Sequence, residues 1–325
     1  MKRREFIAGL GAAVVWPVAA QAQPGMPVVG CLMNTSATES DWIVLPFRQG
    51  LADTGYAEGR NLVIEYRWGD GHNERMPALA AELLGLPVSV LAALQGASGA
   101  LAAKRLTTTT PIVFLSSGDA VELGLVSSLN KPEANLTGVS GVANSLVTKQ
   151  LSLLGEFASK SASFALLTNP ASPNTKRLIT NTQSAAKALG RDLQVAGASD
   201  VSGIESAFSQ LADQKIGGLV VPPNAFLNSH RNRLAALAAR ERIPTIYDNR
   251  ESVVAGGLMS YGIDYSDVFR QLGTYTGRIL RGAKPGDLPV FQPSRFAFVI
   301  NLKTAQLLGL NVPIPMQLLA DEVIE

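Results

Sequence analysis

Residues 111–142 read PIVFLSSGDAVELGLVSSLNKPEANLTGVSGV. A proline opens an unbroken apolar run, Pro111 to Leu115, the pattern of a strand buried on both faces of a parallel sheet. Ser116, Ser117, Gly118 and Asp119 follow as a short polar loop at the strand's carboxyl end, and the spacing from Val121 to Leu129 predicts a helix. In open α/β sheets, ligands sit outside the carboxyl ends of strands, where a helix N-terminus offers unpaired N–H groups. The loop is therefore the first candidate site. Asn130-Lys131-Pro132 stops the helix, and Leu136 to Val142 is a β-prone run punctuated by Gly138 and Gly141. A second α/β series begins at once, so this run is expected to leave one lobe and enter another, placing a hinge beside the site.

Upstream, the same rhythm repeats. Val28 to Met33, Leu62 to Trp68 and Val88 to Leu94 read as strands. They alternate with helices over about Asp41 to Thr54, Met76 to Leu84 and Gly99 to Leu106. Such alternation implies a parallel sheet with helices on both faces. Downstream of Val142 come a helix over about Leu146 to Phe157, strands at Phe164–Leu167, Leu193–Ala196, Gly218–Val221 and Pro244–Tyr247, and the helices between them. The tail holds a strand at Gly257–Gly262, an amphipathic helix over Tyr265–Leu280, a strand at Phe296–Ile300 and a helix at Thr304–Leu308. These pieces are too small to fold alone and must complete the two sheets, so the chain is expected to cross between lobes more than once. The expected division is 27–139 plus about 258–284 for lobe 1, and 140–257 plus about 285–325 for lobe 2.

The 325 residues suit two domains, and a net charge of +2 with scattered Lys and Arg argues against a nucleic-acid partner. The N-terminus differs in kind. Met1-Lys2-Arg3-Arg4-Glu5 is a basic segment, Phe6 to Ala20 is apolar, and Ala20-Gln21-Ala22 is a small-x-small cleavage site, so residues 1–22 read as an export signal. Arg3-Arg4 resembles a twin-arginine signal, although Lys2 stands where that pattern prefers Ser or Thr. The mature chain is expected in the periplasm. The one cysteine forms no intrachain disulfide. Val28-Val29-Gly30-Cys31 loosely matches a lipoprotein box, but Cys31 lies inside an apolar strand, so simple burial is the better account.

PIVFLSSGDAVELGLVSSLNKPEANLTGVS, GGLMSYGIDYSDVFRQLGTYTGRILRGAKPGDLP, and FAFVINLKTAQLLGLNVPIP with DEVIE together resemble the exported substrate-binding proteins of ABC transporters, of the tryptophan and tyrosine transporter type. The likeness spans nearly the whole mature chain. It implies a type I periplasmic binding fold, with two Rossmann-like lobes of parallel sheet flanked by helices, joined by a three-crossover hinge. It also implies a small-molecule ligand held in the cleft, an inner-membrane ABC permease as partner, and no cofactor. A monomer is expected.

No catalytic machinery is visible. His72 and His230 lack metal-ligand partners at suitable spacing, and no phosphate loop or Gly-x-Ser-x-Gly elbow occurs. A binding cleft needs only uncharged donors and acceptors on rigid strand ends, an apolar wall and one orienting charge. The strand-end loops offer Asn34, Thr35 and Ser36; Gln95, Gly96 and Ser98; Ser116, Ser117 and Asp119; Thr168, Asn169 and Asn174; Asn224; and Asp248. Phe226, Tyr247 and Tyr261 are the aromatic candidates for stacking on a ligand. Each polar residue could equally satisfy its own turn or helix cap. Asp119 is the sharpest case, since Glu122 could complete a capping box with it. The leading expectation is a receptor that closes around an amino acid or related carboxylate and delivers it to a permease. The alternatives are an exported hydrolase-like enzyme on the same frame and a ligand sensor for a signalling receptor.

Overall fold

The computed structural model describes residues 25–132, 134–141, 143–159, 162–214 and 216–325. The expected export signal at 1–22 lies outside the described residues. The chain begins with β1 (Val28–Met33), α1 (Asp41–Asp53), β2 (Val63–Trp68), α2 (Met76–Leu84), β3 (Val90–Ala93), α3 (Gly96–Leu106), β4 (Ile112–Ser116) and β5 (Leu136–Ser140). These strands form a five-stranded sheet in the order β2-β1-β3-β4-β5, with every pair parallel. Apolar runs explain its centre: β3, β4 and β5 are buried along their whole length, as strands covered by helices on both faces must be.

The second lobe continues with α4 (Ala143–Gly155), β6 (Phe164–Thr168), α5 (Thr175–Ala188), β7 (Leu193–Gly197), α6 (Val201–Asp213) and β8 (Gly218–Val220). It goes on through α7 (Ala225–Ser229), α8 (Arg231–Arg240), β9 (Thr245–Tyr247), α9 (Arg250–Val254) and β10 (Met259–Ile263). The chain then returns to the first lobe as α10 (Tyr265–Leu280) and comes back once more as β11 (Phe296–Asn301), α11 (Leu302–Leu307), α12 (Ile314–Leu319) and β12 (Glu322–Ile324). The second sheet has the order β12-β11-β10-β9-β8-β6-β7, parallel except for the β10–β11 pair.

Two expectations are corrected. The boundary at about 258–284 cuts wrongly, because β10 pairs with both β9 and β11 and so belongs to lobe 2. Residues 285–291 belong instead to lobe 1: Val290 N–H donates to the Leu129 carbonyl at 2.7 Å, Ser140 N–H donates to the Phe291 carbonyl at 2.9 Å, and Phe291 N–H donates to the Gly138 carbonyl at 2.9 Å. The helix expected over Val121–Leu129 is also absent. A single turn forms, Leu123 N–H to the Asp119 carbonyl at 3.0 Å, and Gly124 ends it in the left-handed region at φ 69°.

α10 is held in lobe 1 by its fit to α1. A Cβ on Gly50 would stand 1.9 Å from the Arg270 carbonyl oxygen, and one on Gly273 would stand 2.0 Å from that of Phe47. The glycines therefore let two helix backbones touch while Phe47, Leu51, Val268, Phe269 and Leu272 share one core. Asp264 lies between β10 and α10, caps α10 through the N–H groups of Ser266 and Asp267, and donates its own N–H to the Arg295 carbonyl at 3.3 Å. The second and third crossings are thus tied together. At the first crossing, Gly141 N–H donates to the Ser116 carbonyl at 2.6 Å, and a Cβ on Gly141 would meet that oxygen at 2.7 Å.

Candidate functional site

Between the lobes lies a cleft walled by residues of both. Lobe 1 contributes Trp42 from the first turn of α1, Gln95 and Gly96 after β3, Ser116 and Ser117 after β4, and Tyr265 and Phe269 from α10. Lobe 2 contributes Leu146 and Gln150 from α4, Asn224 and Asn228 after β8, Asp248 after β9, and Ile263 at the end of β10. Most of the wall is therefore built from strand ends and first helical turns, where ligands of α/β clefts sit.

Its aromatic side is rigid. The Trp42 ring meets Tyr265 edge-on at 5.7 Å between centroids and Phe269 at 5.4 Å. The polar side centres on Asp248, which is 3% exposed. Its carboxylate accepts from Asn249 Nδ2 at 2.7 Å and, across the lobes, from the Tyr265 hydroxyl at 2.8 Å. Burial pushes its pKa up to about 6, against the hydrogen bonds from Tyr265, Asn249 and Asn228, which pull it down. The neighbouring Tyr265 phenol is pushed well above its ordinary value by burial and by the Asp248 charge. No Lys, Arg or His stands among the described residues of the wall.

Of the sequence candidates, the cavity wall brings together Gln95, Gly96, Ser116, Ser117, Asn224 and Asp248. Ser98 and Asn174 line a smaller outer pocket that shares Gln95, Ser117 and Asn224 with the main one. The others lie outside the main wall. Asn34 donates to Asn73 Oδ1 at 2.8 Å, the Thr35 carbonyl accepts from Asp70 N–H, and the Ser36 hydroxyl pairs with Thr38. The Thr168 hydroxyl donates across to the Ala196 carbonyl of β7, and Asn169 Oδ1 accepts from Ala171 N–H within its own turn. Asp119 Oδ1 accepts from Val121 and Glu122 N–H groups, which is the capping role. Glu122 does not close a capping box; it pairs with Arg177 of lobe 2.

The three aromatic expectations need correction. Phe226 tilts against the His230 ring at 4.6 Å, Tyr247 is wholly buried in the core of lobe 2, and the Tyr261 ring stacks on Phe296 at 6.2 Å. Central-strand and helix-face aromatics went to the cores, where area burial favours them. Trp42, Tyr265 and Phe269 take the place at the cleft. The hydroxyl of Ser116, one of the strand-end candidates, donates to the Gly118 carbonyl at 2.9 Å. Of the residues missed, Gln150 donates to the Tyr261 carbonyl at 2.8 Å and carries no strand-end signal, being mid-helix. Trp42 and Tyr265 did carry one, since each stands in the first turn of a helix that opens toward the cleft.

Two α/β lobes around a mostly apolar cleft with one buried carboxylate define a protein that binds a small solute. Residues 31–324 match the family described as ABC transporter substrate binding protein, and the chain belongs to that family. A tyrosine-binding protein of Clostridioides difficile is 28% identical over 265 residues, 82% of this chain and 76% of that protein. The crystal structure of a conserved domain protein from Vibrio cholerae, 26% identical, covers 92% of this chain and 99% of that one with a TM-score of 0.85. The structure of an ABC domain from Streptococcus pneumonia in complex with L-Trp, 24% identical, covers 91% of this chain and all of that one, with a TM-score of 0.81. The fold is that of the type I periplasmic binding proteins, and the chain is a solute-binding receptor of the ABC transporter class.

Proposed function

We propose that this receptor closes on an α-amino acid with a flat apolar or aromatic side chain and delivers it to an inner-membrane permease. The observation that carries the reading is Asp248. A buried carboxylate in a cavity with no cation among the described wall residues costs free energy unless a positive group pairs with it. A ligand ammonium supplies that charge. The side chain of the ligand then meets Trp42, Tyr265, Phe269, Leu115 and Leu146, while its carboxylate is left to uncharged donors, among them the Ser117 and Gly96 N–H groups. The tyrosine-binding relative and the L-Trp complex support an aromatic amino acid over other amines. The signal pattern at residues 1–22 supports export to the periplasm, where the chain would act as a monomer.

Calorimetric titration with L-tyrosine, L-tryptophan and L-phenylalanine tests the ligand class, with 3-(4-hydroxyphenyl)propionate as the analogue that lacks the ammonium. Saturable 1:1 binding of at least one amino acid is expected, with none of the deaminated acid. Equal binding of acid and amino acid would overturn the role given to Asp248.

A further inference from the structure

Among the described residues, four buried side-chain polar atoms lack a partner within the protein: Asn34 Oδ1, Trp42 Nε1, Gln95 Oε1 and the Tyr247 hydroxyl. Folded proteins pair nearly all such atoms, because an unpaired one keeps its full desolvation cost. Two of the four, Trp42 and Gln95, line the same cavity, whereas Asn34 and Tyr247 lie outside its wall. One is a donor and the other an acceptor. An indole N–H only donates, and the Tyr265 and Phe269 rings packed against Trp42 fix where it points. Gln95 is 9% exposed, stands two residues past the end of β3, and its side chain makes no capping bond to α3. Neither atom has a structural duty in the folded chain.

We propose that Trp42 and Gln95 are the cleft's selectivity pair: the Trp42 indole N–H receives an oxygen of the ligand, and the Gln95 carboxamide oxygen receives a ligand N–H or O–H. This rests on the amino-acid reading above and deepens it. Asp248 selects for positive charge, and the pair selects for a ligand that carries an acceptor and a second donor, so that a bare amine or an apolar ring alone leaves both atoms unpaired. Such unpaired groups are what make a polar site reject analogues that lack the matching group.

The test titrates wild type, Trp42→Phe and Gln95→Met with L-tyrosine and L-tryptophan, and with two truncated probes. Tyramine lacks the carboxylate and L-phenylalanine lacks the phenol. Each substitution is expected to weaken binding of a fully equipped amino acid about tenfold, the effect of one lost hydrogen bond. Gln95→Met should at the same time leave the melting temperature of the ligand-free chain unchanged or raised, because it removes an acceptor that the protein leaves unpaired. With 15N in the tryptophans, the indole signal that disappears in Trp42→Phe should move downfield and exchange more slowly with deuterium when ligand saturates. A Trp42→Phe penalty that vanishes for tyramine assigns the ligand oxygen to the carboxylate; one that vanishes for phenylalanine assigns it to the phenol, and either upholds the proposal. Unchanged affinities, an indole signal indifferent to saturating ligand, or a Gln95→Met variant that loses affinity and melting temperature together would overturn it. Wild type that binds none of the probes would fail the amino-acid reading itself and this proposal with it, an outcome distinct from a wild type that binds and variants that match it.

Discussion

At Asp248 a single carboxyl links stability, pH and binding. Its pKa of about 6 lies above the ordinary carboxylate value, so folding favours the protonated form. The stability this group contributes is complete below the unfolded value and is lost as pH rises through about 6, a loss of about 2–3 kcal/mol. A ligand ammonium reverses the preference. Affinity for an amino acid is therefore expected to rise about tenfold from pH 5 to pH 7, while the contribution of this group to the ligand-free melting temperature falls over the same interval. Asp248→Asn should weaken binding ten- to hundredfold at pH 7.5 and abolish the pH step in calorimetry; a variant that keeps the step would show that another group titrates. The neighbouring serines divide by role. Ser116→Ala removes a wholly buried hydrogen bond to Gly118 and should lower stability by about 1 kcal/mol, read as a fall in melting temperature. The serine loop was legible because short polar residues after an apolar run mark a strand end. Which hydroxyl the loop would consume was not, because that depends on where the Gly118 carbonyl turns.

Elements were legible where apolar periodicity and stop signals agreed. The strands at β1, β4 and β6 came from uninterrupted apolar runs, and α10 came from its spacing of Val268, Phe269, Leu272 and Tyr275. The lobe to which an element belongs was harder to read. β10 and α10 are adjacent in the chain yet sit in different lobes, a choice made by contacts distant in sequence: β10 pairs with β9 and β11, and α10 presses on α1. Gly50→Ala tests that last contact, since its Cβ would drive into the Arg270 carbonyl. The cost expected for such overpacking is about 1–3 kcal/mol, or several degrees in melting temperature, with the helix pair forced apart. An unchanged melting temperature would mean that the helices meet less closely. The segment after Asp119 failed as a helix for a local reason, because Gly124 adopts a left-handed turn and leaves Glu122 to reach Arg177.

Across the whole molecule, the lobes touch directly. The Tyr265–Asp248 bond crosses the cleft, and two ion pairs flank it, Glu122 with Arg177 and Glu39 with Arg231 at 3.7 Å. Such exposed or half-exposed pairs contribute about 0–1 kcal/mol each and are screened by salt. They bias closure without enforcing it, and a ligand that bridges Asp248 and the Trp42 side supplies the rest. The Glu39→Gln, Glu122→Gln double variant should bind less tightly by no more than about tenfold at low salt and match wild type at high salt; a salt-independent loss would point to packing instead. The two-lobed design and repeated crossing were legible from the recurring βα rhythm, whereas these bridges pair residues from separate α/β series and left no local signal. Small-angle X-ray scattering of the purified protein, with and without saturating amino acid, tests closure on a ligand most directly. A smaller radius of gyration is expected with the amino acid that binds, and no change with its deaminated analogue; an identical profile with and without a bound, saturating amino acid would contradict closure.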